Sequence, residues 1–355
     1  ASKLDFPVII KAAAGGGGKG MRVVRSKEEL EKAFESAQTE AFISFGNKTL
    51  FMEKYIEEPR HIEFQMLADH YGIVIHLGER DCSVQRKHQK LVEESPSPAI
   101  NDELREKMGE AAVKVVSAAN YEGAGTVEFL LDKKNNFYFI EVNTRIQVEH
   151  GVTEMVTGVD LVKEQIKLAS GAKLTFNQEH INLEGWAIEC RINAEDPLNN
   201  FTPSIGTITN YLPPGGPGIR VNSICHQGYK VLPDYDSLLS LLICYGVDRQ
   251  EAIARMRGAL KEYIIEGIKT TIPFHLAVLN NKNFVKGRVT TSFIEKNEIF
   301  KSLNKYYEKR KEPTNGQKRI IITTAVSKYM EKKGSYNNKP NPWVMAGRQE
   351  LMENE

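Results

Sequence analysis

The chain of 355 residues has four cysteines, Cys82, Cys190, Cys225 and Cys244, and they lie far apart with no C-x-x-C spacing. That scatter supports neither a zinc site nor a disulfide framework, and it suits a reducing cytoplasm. No apolar run approaches the length of a membrane span, and no signal peptide precedes the first strand-like segment, so membrane insertion and secretion are not expected. Charge of one sign is also missing. A net charge of +1 gives no global electrostatic reason to bind nucleic acid or an acidic partner. There is no internal repeat, and the composition is that of ordinary globular chains with room for two or three domains.

What the chain does have is a run from Glu141 to His150 that alternates between two chemistries. If extended, it sends Glu141, Asn143, Arg145, Gln147 and Glu149 to one face and Val142, Ile146 and Val148 to the other. Upstream, residues 127–131 and 137–141 read as strands joined by Lys133-Lys134-Asn135-Asn136, a four-residue hairpin loop. With residue 132 facing 137 across that loop, Glu128 faces Glu141. Two carboxylates directly opposed repel unless a cation sits between them, and Mg2+ is the economical occupant because it takes one or two carboxylates and leaves positions for phosphate oxygens.

The remaining pattern is mixed. A strand at Phe6–Lys11 leads into Gly15-Gly16-Gly17-Gly18-Lys19-Gly20 and a second strand near residues 21–24. Ser26 and Glu29 have the spacing of a capping box for a helix running to about Phe42. A strand returns at residues 50–56, antiparallel strands follow from Arg60, and helices are expected over 101–119, 160–170 and 249–264. New strands begin near residue 184, and beyond about Ile299 apolar density falls, so residues 301–355 read as a peripheral tail. Because Phe6–Lys11 has no preceding unit to pair with, the chain reads as cut inside a domain.

The glycine run allows a backbone to wrap phosphate oxygens with N–H donors. It is no Walker loop, since Gly20 rather than Ser or Thr follows Lys19 and a strand comes next. A mobile strand-loop-strand lid over a nucleotide is the better expectation, with Lys11 at its edge. Arg80, Arg86, Lys87, His88 and Lys90 form a basic segment that is either a solvated loop or an anion pocket.

Together, Val8–Lys11 with the glycine loop, Met52–Ile56, Gly78–Lys90 ending in Lys-His-Gln-Lys, Glu141–His150 and Glu189–Glu195 resemble biotin carboxylase, a member of the ATP-grasp superfamily, over residues 1 to about 300. The resemblance implies an α+β chain: a mobile lid subdomain at 1–56, the ATP-grasp body at 57–182, a biotin carboxylase C-terminal α/β domain at 183–300, and the tail. It implies that Lys11, Gly17 and Gly18 hold ATP phosphates and that Glu53, Lys54, Tyr55 and Ile56 form the hinge reading adenine. His61, Gln85 and His88 match further nucleotide contacts. Glu128, Glu141 and Asn143 match ligands of Mg2+, or Mn2+ in its place. Lys90, Arg145, Gln147 and the backbone of Val148 match a bicarbonate site, Glu149 the base, and Arg191 the arginine beside biotin.

The implied partners are a biotin carboxyl carrier protein, a second copy in a homodimer and a carboxyltransferase subunit, all in the cytoplasm. No Met-Lys-Met biotin-attachment string is present, so the carrier is expected on another chain or a deleted segment. Two features depart from the family: an N-terminal domain with a further ATP-facing lysine is missing, and Gly151 stands where proline usually follows Glu-His. The alternatives are a nucleotide-binding or assembly fragment without catalysis, and another bicarbonate-using ATP-grasp ligase such as carbamoyl phosphate synthetase. The tail leans the reading toward the biotin carboxylase component of a pyruvate carboxylase over that of an acetyl-CoA carboxylase.

Overall fold

The computed structural model describes residues 4–14, 21–311, 323–324 and 326–329, and the chain divides into two compact units, 1–303 and 304–355. The site lies in the first. Gly17, Gly18 and the expected lid tip fall outside the described residues, as does most of the expected tail.

A three-stranded antiparallel sheet opens the chain, in the order β2-β1-β3, from β1 (Val8–Ala12), β2 (Arg22–Val24) and β3 (Leu50–Lys54). Helix α1 (Lys27–Phe45) covers it, bringing Ala37 and Leu30 against Val8, Ile10 and Val24. Ser26 is the N-cap as expected, but its side chain makes no cap bond, and Glu29 instead accepts from the Arg25 amide at 3.0 Å. The helix runs one turn further than its apolar pattern suggested. Gly46 ends it in the left-handed conformation, φ +67°, donating back to Phe42 O.

The rest of the first unit is organised on one eight-stranded sheet. Its members are β4 (Arg60–Ala68), β5 (Val74–Arg86), β6 (Gln89–Ser95), β7 (Gly123–Leu131), β8 (Phe137–Asn143), β9 (Trp186–Asn193), β10 (Ile219–Ser223) and β11 (Leu238–Gly246). Their order is β10-β11-β9-β6-β5-β4-β7-β8, and every neighbouring pair is antiparallel. The sheet crosses residue 183, because β9 pairs with β6.

Helix α2 (Asp102–Ala118) covers one face, packing Met108, Ala112 and Val116 on Ile62, Phe64, Met66 and Val127. Its N-cap Asn101 accepts from the Leu104 amide at 2.9 Å. Helices α3 (His150–Thr157) and α4 (Leu161–Ala169) follow β8, α3 packing Val152 and Val156 on Ala187 and Ile243, and α4 packing Leu161 and Leu168 near Leu67 and Leu77. Helices α5 (Arg249–Glu262) and α6 (Ile272–Leu279) complete the part used below. With apolar layers on both sides, polar residues on β4 to β6 are enclosed too, Glu63, Gln65 and Arg80 completely. Among the described residues no helix is long and apolar enough to cross a membrane.

The β7–β8 hairpin corrects the expected turn. Its loop is Asp132–Asn136, one residue longer, because Asp132 Oδ1 accepts from the amides of Lys134 at 2.8 Å and Asn136 at 2.9 Å, which ties the turn at its own first residue. Leu131 therefore faces Phe137, and that register alone would shift Glu128 off Glu141. A bulge between Glu128 and Phe129 restores the pairing, so Glu128 does face Glu141.

Candidate active site

The extended face expected over 141–149 ends at Asn143. Residues 144–147 are irregular with a bend at Arg145, a turn follows at Val148 and Glu149, and Glu149 is the N-cap of α3 with φ −78° and ψ 9°. Alternation could not reveal this, since a loop followed by a helix start can reproduce a period of two over a few residues. The polar side chains nevertheless converge. Gln147 and Glu149 are buried, with Gln147 Nε2 donating to Glu128 Oε1 at 2.8 Å, while Ile146 packs into the core beneath.

Lys90, on β6 opposite Gln85, is the hub. Its ammonium donates to Glu63 Oε2 at 2.5 Å, Glu149 Oε1 at 2.6 Å and Glu128 Oε1 at 3.0 Å. Glu149 is gripped from the other side by Arg191 Nη2 at 2.8 Å, and Arg191 Nε donates to Glu93 at 2.7 Å. His61 Nε2 lies 2.9 Å from Glu128 Oε2. Asn143 Nδ2 donates to Glu128 Oε1 at 3.0 Å, and Arg145, exposed, reaches Ile146 O at 3.2 Å.

Beneath the hub lies Arg80, which sequence reasoning put in a basic run that was either a solvated loop or an anion pocket. It is fully buried, donating to Glu63 at 2.6 Å, Gln65 at 2.7 Å, Thr153 at 3.0 Å and Gln147 Oε1 at 3.1 Å. Because Arg80 claims the Gln147 carbonyl oxygen, the Gln147 amide nitrogen must face the site. Glu63, Arg80, Glu93 and Glu189 were missed as site residues. The signal available was the alternation of Glu63 and Gln65 with Ile62, Phe64 and Met66, which says which face they share but not that this face is closed to solvent.

The electrostatics follow from that closure. Burial pushes the Glu63 carboxyl up, but Lys90 and Arg80 outweigh it and hold the group at about 2. Burial likewise opposes the charge on Glu128, and His61 and Lys90 win, holding it far below the usual carboxylate range. Burial disfavours the Lys90 ammonium, yet Glu63 and Glu149 keep it charged far above ordinary pH.

Against Lys90, Arg80 and Arg191 stand the carboxyl groups of Glu63, Glu128, Glu149, Glu93 and Glu189, with burial and the Glu93 charge pushing Glu189 upward. Opposed Glu128 and Glu141 are hard oxygen donors of the kind a divalent magnesium-class cation takes, while Asn143 turns its amide nitrogen to Glu128 and its oxygen to Arg145 Nη2 at 3.5 Å. Other expected positions are more peripheral. Lys11 is ion-paired with Glu53 across β1–β3, exposed Lys54 Nζ donates to Asp5 O at 3.1 Å, and the Tyr55 amide donates to Pro7 O at 3.1 Å, with Ile56 next in the chain. His88 is exposed in the β5–β6 turn, where Lys87 and His88 both have positive φ, 49° and 67°. Val148 is half-buried between Gln147 and Glu149.

Two family models match: residues 1–177 match the carbamoyl-phosphate synthase L chain ATP-binding domain, and residues 189–296 match the biotin carboxylase C-terminal domain. The first is shared with another ligase and the second decides between them. The chain belongs to the biotin carboxylase family. It is 59% identical over 303 residues to biotin carboxylase 1 of Bacillus subtilis, covering 85% of this chain and 67% of that protein. It is 59% identical to the biotin carboxylase of a Nostoc species, over 83% of this chain and 66% of that one.

Among solved structures, the biotin carboxylase domain dimer of Hydrogenobacter thermophilus 2-oxoglutarate carboxylase, in complex with MgADP, ADP and bicarbonate, superposes with a TM-score of 0.81 at 53% identity. That match covers 83% of this chain and 65% of the other. The fold is thus the ATP-grasp biotin carboxylase fold. The chain spans about two-thirds of the length of these relatives.

Proposed function

We propose that the chain is the major part of a biotin carboxylase that uses ATP and bicarbonate to carboxylate biotin on a carrier protein through carboxyphosphate. The observation that carries this reading is Glu149 suspended between Lys90 and Arg191, with Glu128 on the same lysine. A base, an anion clamp and a metal-binding carboxylate then share one enclosed, hydrogen-bonded centre.

In this reading the lid is 1–56, the body 57–182 and the C-terminal domain 183–300. Lys11, Gly17 and Gly18 contact phosphates. Glu53, Lys54, Tyr55, Ile56, His61, Gln85 and His88 contact the rest of the nucleotide. Glu128, Glu141 and Asn143 hold Mg2+ or Mn2+, which when bound neutralises charge on the transferring phosphoryl group. Lys90, Arg145, Gln147 and the backbone of Val148 bind bicarbonate, and Glu149 takes its proton at Oε1 or Oε2. That uptake cancels the charge for which Lys90 and Arg191 compete. Lys90, still held by Glu63 and Glu128, then has a donor to turn toward the carbonate oxygens, while Arg191, still held by Glu93, has its Nη2 free beside the biotin ureido ring. The carrier, a carboxyltransferase and a second copy of the chain are the partners that the family implies.

The test is biotin-dependent, bicarbonate-dependent ATP cleavage by the full-length protein. Glu149→Gln is expected to lower it ~10²–10⁴-fold, the effect of losing a general base, with ATP binding retained. Wild-type turnover in that variant would overturn the assignment.

A further inference from the structure

Behind the Glu149–Arg191 pair lies an acidic couple that the proposed reaction does not use. Glu93 on β6 and Glu189 on β9 are direct partners across the antiparallel ladder, and both are fully enclosed. Glu93 Oε1 accepts from Arg191, but Glu93 Oε2 and both oxygens of Glu189 have no hydrogen-bond partner among the described residues. Helix α3 roofs the pair so closely that a Cβ on Gly151 would lie 3.4 Å from Glu189 Oε2, and Ile243 of β11 stands opposite Glu189. The charged groups facing Glu189 are Glu93 from β6, Arg191 from β9, Glu149 from the α3 N-cap and Arg80 from β5, with Lys90 acting on Glu93.

Two carboxylates at directly opposed strand positions, desolvated and with a single donor, Arg191, between them, cannot both stay ionised. A single proton removes the conflict. Carried by Glu189 and donated to Glu93 Oε2, it leaves one anion whose other oxygen still binds Arg191. We propose that Glu93 and Glu189 share one proton across the β6–β9 ladder, and that this acid pair positions Arg191, keeping its guanidinium in place when Glu149 becomes protonated. The positioning role rests on the carboxylase reading, whereas the shared proton does not. Burial lifts Glu93 to about 7 against the pull of Arg191, and burial with the Glu93 charge lifts Glu189 well above the ordinary range.

Two measurements test the two halves separately. Carbon-13 NMR of the glutamate carboxyl carbons in this chain should show a carboxyl still protonated at pH 7 that disappears in Glu189→Gln. If every glutamate is ionised at pH 7, or the protonated signal survives in both Glu189→Gln and Glu93→Gln, the shared proton is refuted.

In the full-length enzyme, Glu93→Gln should raise the biotin KM ~10-fold with the ATP KM unmoved, because the bond from Arg191 loses its anionic acceptor. The wild-type biotin KM should climb on the alkaline side as the pair loses its proton, and Glu189→Gln should flatten that climb. Equal shifts in both KM values, or the same alkaline profile in wild type and Glu189→Gln, would reduce the pair to a structural role. Absence of biotin-dependent turnover in the wild-type enzyme would refute the carboxylase reading and the positioning role with it, leaving the NMR result standing.

Discussion

Replacing Lys90 with methionine keeps the length of the stem and removes the one charge that Glu63, Glu128 and Glu149 all share. Breaking a buried ion pair from one side costs about 3–5 kcal/mol, because the abandoned charge stays desolvated. Each carboxylate here keeps a second partner: Arg80 for Glu63, His61 for Glu128 and Arg191 for Glu149. The lower end of the range applies, about 3 kcal/mol at pH 7, or a Tm lower by roughly 6 °C for a unit of this size.

The pH dependence checks the cause. Glu63 sits at about 2 when folded against 4.5 unfolded, so its contribution is present above 4.5 and is lost as pH falls toward 2. Without Lys90 its folded pKa rises, so the variant is weakened at neutral pH and the difference from wild type narrows in acid. Urea unfolding of both proteins between pH 7 and pH 4 is the assay. A loss under about 1 kcal/mol at pH 7, or a difference that ignores pH, would refute the claim that Lys90 compensates these carboxylates.

Three further outcomes are expected. His275 is fully buried, donates from Nε2 to Arg191 O at 2.7 Å, and is held by burial at about 4, below its ordinary value of 6.5. Stability should therefore fall as pH drops from 6.5 to 4, by about 3 kcal/mol if this group acts alone, and His275→Gln should remove that acid sensitivity in denaturant titrations. Ile243 Cδ1 fills the space that a Cβ on Gly151 would take. Gly151→Ala should then destabilise by ~1–3 kcal/mol and Ile243→Val should restore most of it, whereas an additive double variant in the same unfolding assay would contradict the packing. Glu128→Gln combined with Glu141→Gln should weaken Mg-ATP binding by at least ~10-fold in calorimetry on the full-length protein, since two carboxylates supply the hard oxygen ligands; unchanged affinity would remove the metal assignment.

Sequence alone determined what depends on neighbours along the chain. The helices at 101–119 and 160–170 were legible because Asn101 and Asp160 are side-chain caps ahead of apolar periodicity. The Glu128–Glu141 opposition was legible because antiparallel pairing makes register a matter of counting, although a longer loop and a compensating bulge produced it. The family was legible because its motifs are long and ordered.

Tertiary structure decided which charges matter. Glu63, Arg80, Glu93 and Glu189 come from β4, β5, β6 and β9, and only sheet order together with the cover from α3 on their face removes them from water. Strand patterning reports which face a residue shares with its neighbours. Whether that face is wet or dry depends on elements distant in sequence, and for a carboxylate or a guanidinium that difference sets the pKa, the partners and the chemistry it can perform.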